Sequence, residues 1–159
     1  SLACRPHAGS VITWIDSHSH LDAPEFDSDR EWVLVRARAA GVTRQIVPAV
    51  DAASWPALRA LAAAEPGVHP AYGLHPVYLA RHRPADLDAL PDWIEAARPC
   101  AVGECGLDHF VPDLDPGTQA RIFARQLEIA RATADNFAGA ASAGVSAPGC
   151  RARRAASRP

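Results

Sequence analysis

The chain has 159 residues, 48% hydrophobic and 21% charged, which is enough to bury one core and too apolar overall for a disordered polypeptide. A formal net charge of -2 excludes bulk attraction to nucleic acid, so any polynucleotide contact has to come from a local basic patch or from metal ions facing phosphates. No apolar run approaches the ~20 residues of a membrane span, and Ser1 to Thr13 lack the apolar core of a signal peptide; the expectation is a cytoplasmic protein. Cys4, Cys100, Cys105 and Cys150 form no C-x-x-C pair and read as reduced thiols.

The sequence contains no methionine, not even at position 1, and Ser1 to Ser10 read as an N-terminal tail. From Val11 the patterns of strand and helix alternate. Val11 to Asp16 reads as a first strand. Ser28 with Glu31 three residues on is a capping-box signal, predicting a helix over 29–40 that ends at Gly41, where a left-handed residue carries no penalty. Gln45 to Val50 is a short apolar run without alternation, as expected of a strand buried on both faces. Ser54 and Pro56 start a second helix that runs to Ala64. Val68 to Gly73 is a third strand, Asp86 to Arg98 a third helix with Leu87, Leu90 and Ile94 at helical spacing and Pro91 as a point where it can split. Ala101 to Glu104 is a fourth strand, and Thr118 to Thr133 a fourth helix whose Ile122, Phe123, Leu127 and Ala130 would face the sheet.

Chemistry concentrates where these strands end. The first strand leads into Trp14-Ile15-Asp16-Ser17-His18-Ser19-His20-Leu21-Asp22. Alternate residues of an extended chain project to one side, so His18 and His20 can grip one metal ion; a chance pairing of histidines on a polar loop is the competing reading. Gly73-Leu74-His75-Pro76 follows the third strand and Gly103-Glu104-Cys105-Gly106-Leu107-Asp108 the fourth. Strands alternating with helices in this way fit either the first half of an eight-stranded barrel or a small open α/β sheet; in a parallel β/α barrel all of these positions share the carboxyl-end rim, where active sites form.

With these three motifs in order and register, the chain resembles the TatD family of metal-dependent deoxyribonucleases, a branch of the amidohydrolase-like TIM barrels, over Ile12 to Arg131. The resemblance implies an α/β fold, a partial TIM (β/α)8 barrel of about four βα units. It implies an enzyme that hydrolyses DNA phosphodiesters with metal-activated water, using two divalent ions (Zn, Mg or Mn). It places His18 and His20 as ligands of one ion and Glu104 as the catalytic, bridging carboxylate. His75 would face a substrate phosphate or simply shape a turn. Asp108 would orient a ligand, contact substrate or start the next helix. Asp16 and Asp22 are expected to hydrogen-bond loop backbone, with ligation by Asp16 the minor alternative, and His7, His69, His82 and His109 to be ordinary surface or loop residues.

The pattern then departs from the family. After His109 there is no histidine, and Asp135 is the only acid beyond Glu128. The further histidines and late aspartate that the resemblance implies are missing, so the expectation for this chain is at most one weakly held ion. The segment 132–159 is rich in alanine, glycine and arginine and reads as a disordered tail, as a frameshift in GC-rich DNA would produce. Arg151, Arg153, Arg154 and Arg158 there could touch phosphates nonspecifically, although a solvated end is the simpler reading. Four strands of an unclosed ring leave two bare edges, which favours self-association. Two alternatives accompany the nuclease reading: a catalytically inactive fragment lacking half of the ligand set, and another amidohydrolase-like metallohydrolase.

Overall fold

All four expected strands form, and they pair in chain order. In the computed structural model, which describes residues 13–142 and their side chains as far as 134, β1 (Trp14–Asp16), β2 (Val42–Pro48), β3 (Val68–Tyr72) and β4 (Ala101–Val102) make one parallel sheet ordered β1-β2-β3-β4. The register sets Asp16 beside Gln45, Gln45 beside Val68, and Ala71 beside Ala101. Helices α1 (Arg30–Ala39), α2 (Trp55–Ala64), α3 (Pro84–Ala97) and α4 (Pro116–Ser142) alternate with the strands. Sequential parallel βα units of this kind are half of a (β/α)8 barrel.

The local signals that start and stop these helices work through different residues than expected in two cases. The Ser28/Glu31 capping box does not form: Asp29 holds the cap position of α1 and makes no side-chain cap bond, which puts Glu31 one position too early to reach back. Asp51, rather than Ser54, opens the second helical segment, its carboxylate accepting from the Ser54 N–H at 3.2 Å and starting a 3₁₀ turn (Ala52–Ser54) that runs into α2. Gly41 does adopt the left-handed conformation, with φ 88°, and closes α1 by donating to Arg38 O at 3.0 Å. Pro91 does not split α3; Leu90 and Ile94, buried on either side of it, hold one continuous helix against the loss of a single backbone bond.

The core lies between the sheet and α2, α3 and α4. Trp55, Tyr72 and Trp93 pack edge to face with centroids 5.6 to 6.2 Å apart, and Leu58, Leu90 and Ile94 close around them. Each such side chain removed from water contributes about 1.5–3 kcal/mol before entropy is counted. On α4 the buried stripe is Gln119, Ile122, Gln126 and Ile129, whereas Leu127, expected to face the sheet, is 51% exposed. The two glutamines displace it because each has backbone groups to satisfy. Gln126 accepts from Leu74 N–H (2.7 Å) and donates to Leu74 O (3.1 Å), and Gln119 does the same for Asp108 (2.6 and 2.9 Å).

Helix α4 continues through Ser142, so the first residues of the expected tail, 132–142, are helical, in keeping with the helix preference of alanine. The rest of that segment, with its arginines, lies outside the described residues, as do the 1–10 tail, His7, Cys4 and Cys150. Among the described residues no strand pairs with the outer edge of β1 or of β4, and Trp14 and Ile15 are 59% and 58% exposed. No described helix is long and apolar enough to cross a membrane.

Two outcomes are expected. Gln126→Leu strands both backbone groups of Leu74 in the core, and urea denaturation should show a loss of about 2 kcal/mol or more. Asp115 precedes α4 and accepts from Thr118 N–H at 2.7 Å, and the Thr118 side chain and backbone hold its carboxyl below the ordinary value. Because the folded value lies below the unfolded one, the stabilisation is complete above the unfolded pKa and fades as pH falls through the folded value. Thermal midpoints of Asp115→Ala should fall below the parent's at pH 7 and converge with them in acid.

Candidate metal centre

The parallel ladder carries on past the formal strand ends and sets the rim. Beyond β1, Ser19 N–H donates to Ile46 O (3.0 Å), which keeps this segment extended beside β2. Ser19 turns its hydroxyl towards Gln45 (3.4 Å), so His18 and His20 project together to the opposite side. Beyond β3, His75 N–H donates to Val50 O (2.9 Å); beyond β4, Glu104 N–H donates to Ala49 O (3.2 Å). Gly73 makes this convergence possible, since a Cβ there would lie 2.5 Å from the Gly103 carbonyl carbon.

Three of the residues singled out from sequence meet here. His18 Nε2 and His20 Nε2 are 3.2 Å apart, and Glu104 Oε2 lies 3.3 and 3.7 Å from them. Glu104 Oε2 is buried yet accepts no hydrogen bond, while the two Nε2 atoms contact each other. Ligands about 2.0–2.2 Å from a tetrahedrally coordinated ion are themselves ~3.4 Å apart, so the observed spacings fit a divalent cation among the three. Nitrogen and carboxylate donors of this sort suit Zn and Mn, and they accommodate Mg less readily. The side chains of His18, His20 and Glu104 are 51%, 41% and 28% exposed, a rim location where water competes for the ion.

His75 joins the cluster through Glu104. Its Nδ1 accepts from Val77 N–H (3.1 Å) at the start of a 3₁₀ turn (Pro76–Arg81), so the proton of the neutral ring sits on Nε2, 3.2 Å from Glu104 Oε1. The two readings of His75 therefore coexist: it shapes a turn and it presents a donor to the site. Asp108 stays apart. Its Oδ1 accepts from Phe110 N–H (3.0 Å) and Val111 N–H (2.8 Å), well before α4 begins, and among the described residues it makes no hydrogen bond to His18, His20, His75 or Glu104. Asp16 behaves as expected, taking the His18 N–H at 3.1 Å. Asp22 meets its own backbone in the same way but leaves Oδ1 buried without a partner, and burial pushes its carboxyl pKa up against the opposing pull of that backbone bond, His20 and Arg30. Burial, reinforced by Glu104, likewise raises the Cys105 thiol.

Four supporting residues were not singled out from sequence. Arg30 donates to Leu21 O (2.7 Å), Ala23 O (3.1 Å) and Asp27 (2.7 Å), tying down the loop after His20; that loop's needs exist only once folded, so no local pattern announces them. Gln119 and Gln126 fix the loops after β4 and β3, and their polar atoms within an apolar helical stripe were the available signal. His82, expected to be an ordinary loop residue, is half-buried with Nε2 2.8 Å from the His75 carbonyl oxygen, bracing the 3₁₀ turn. His69 on β3 and the exposed His109 make no contact with the cluster.

A rim of parallel βα units carrying two imidazoles and a carboxylate defines a class by its form: a half-barrel with a candidate divalent-cation site at the carboxyl ends of its strands. Comparison with known proteins narrows it. The family model for the TatD related DNase matches residues 15–136, and the chain belongs to this family. It is 38% identical over 123 residues to the metal-dependent hydrolase YjjV of Escherichia coli K12, covering 76% of this chain and 48% of that one. It is 32% identical over 112 residues to the 3'-5' ssDNA/RNA exonuclease TatD of Pectobacterium atrosepticum, covering 70% and 43%. The crystal structure of E. coli YjjV superposes with a TM-score of 0.70 at 39% identity, over 74% of this chain and 46% of that one. The chain thus spans about half the length of the relatives it matches.

Thermal unfolding with Mn or Zn added checks the centre directly. The midpoint of the parent chain is expected to rise with metal concentration, that of His18→Ala/His20→Ala to stay flat, and Glu104→Gln to need at least tenfold more metal for the same rise.

Proposed function

We propose that His18, His20 and Glu104 hold one divalent ion and that the site acts on phosphodiester bonds of nucleic acid. The observation that carries the reading is the buried, unbonded Glu104 Oε2 aimed at two imidazole nitrogens, since a carboxylate oxygen is costly to leave buried without a partner. When bound, such an ion supplies positive charge that polarises a phosphoryl oxygen and acidifies a water. The chain's own residues do the rest. His18 and His20 offer nitrogen lone pairs, and Asp16 keeps their loop in shape. His75, with its proton on Nε2, faces Glu104 Oε1 and leaves Oε2 for the ion. The names of relatives point to DNA and to single-stranded DNA or RNA as substrates.

A second reading is that the chain binds metal and nucleic acid without turnover. Its observation is the span of about half of each relative, with a group of three ligands among the described residues.

Hydrolysis of a generic phosphodiester and of a short single strand, with Mn, Mg or Zn, separates the readings. Metal-dependent turnover that falls at least a hundredfold in His18→Ala/His20→Ala is expected of a working centre. Retained metal binding without turnover would leave the second reading. Activity on an amide or lactone in place of the phosphodiester would move the chain to another branch of the metallohydrolases.

A further inference from the structure

Next to the cluster, the 3₁₀ turn that begins at Pro76 carries a second arrangement that the metal reading does not use. The Tyr78 ring packs 5.3 Å from the His75 ring, and the Arg81 guanidinium lies 4.5 Å above the Tyr78 ring. Asp51 holds Arg81 there, accepting from Nη1 at 3.2 Å, while its other oxygen caps the turn before α2. Glu104, His75, Tyr78 and Arg81 thus form one unbroken row leading away from the candidate metal centre.

We propose that Arg81, held over Tyr78 by Asp51, is a phosphate subsite for a single nucleic-acid strand whose neighbouring phosphate lies at His18, His20 and Glu104. The inference rests on the function proposed above. A purely structural role explains the arrangement less well. Asp51 keeps its capping bond without Arg81, and the pair joins a buried carboxylate, 10% exposed, to a guanidinium side chain that is 60% exposed and turned to solvent. Only one of the five guanidinium donors is spent on Asp51, so the others are open to a phosphate oxygen. The cation–π contact with Tyr78 and the bond to Asp51 place the group before any ligand arrives, which reduces the entropy lost on binding. Arg30, which ties down the loop after His20, is committed to loop carbonyls and Asp27. With a net charge of -2, the chain needs such a local cation to engage a polyanion.

The test is fluorescence anisotropy of a labelled oligothymidylate of about eight nucleotides, titrated with the full chain across a salt series, with Mn and again with EDTA. Arg81→Gln is expected to weaken binding roughly five- to tenfold at low salt and to reduce the slope of log K against log salt by about 0.7, the value for one lost contact to a single strand. Tyr78→Leu is expected to weaken binding with the slope unchanged, and inorganic phosphate to compete only at concentrations far above the oligonucleotide's. Equal affinity and slope for Arg81→Gln and the parent overturn the proposal, as does a natively folded parent that fails to bind the strand. Should Arg81→Gln lose its fold by circular dichroism, Asp51→Asn/Arg81→Gln, which leaves no unpaired carboxylate, gives the same reading. Metal binding measured separately by calorimetry keeps the two ideas apart. A slope change without metal binding sinks the metal reading alone, and metal binding without a slope change sinks the subsite alone.

Discussion

Three backbone carbonyls at the end of one strand hold every segment that carries a candidate ligand. Ile46 O takes the N–H of Ser19 between the two histidines, Val50 O that of His75, and Ala49 O that of Glu104. None of these three residues offers a functional side chain. Their contribution is position, since a parallel ladder fixes relative displacement along the strand to within a fraction of its repeat, and a metal site tolerates errors of only a few tenths of an ångström. The close passage of Gly73 against Gly103 belongs to the same constraint, because a side chain there would push apart the strand ends that carry His75 and Glu104.

What was legible from sequence follows from which interactions are periodic. The strand order and the helices could be read because buried parallel strands appear as short unbroken apolar runs and helices as stripes. The His18/His20 pair could be read because an extended chain repeats every two residues. Failures occurred where a tertiary partner overruled a local rule. Ser28 and Glu31 satisfy the capping pattern, yet the helix starts one residue late while Arg30 is drawn to the loop carbonyls. Leu127 fits the stripe better than Gln126 by hydrophobicity, yet Gln126 is inside because Leu74 needs both of its backbone groups satisfied. Neither demand is visible without the loop that makes it.

The same helix explains why a half-barrel can carry an ordered rim. Gln119 and Gln126 stand two turns apart on α4 and hold the loops after β4 and β3 in the way a neighbouring strand would, each offering one donor and one acceptor to one residue's backbone. The rim segments are thus fastened by α4 and β2, inside the set of elements present. Among the described residues the outer edges of β1 and β4 have no partner strand and Trp14 and Ile15 are exposed, yet the segments that carry His18, His20 and Glu104 are all held from β2.

Glu104 then divides its two oxygens between two tasks. Oε1 faces the Nε2 of His75, whose protonation pattern is set by the Val77 N–H on its other nitrogen. His75 is in turn braced through its carbonyl by His82. This chain of contacts sets His75 against Oε1 and leaves Oε2 on the side of the two imidazoles. An oxygen held buried and unsatisfied destabilises the fold by itself. Its persistence here makes sense if a cation removes that cost: the arrangement trades stability in the absence of metal for a preformed position in its presence, as expected of a binding site and not of a structural ion pair.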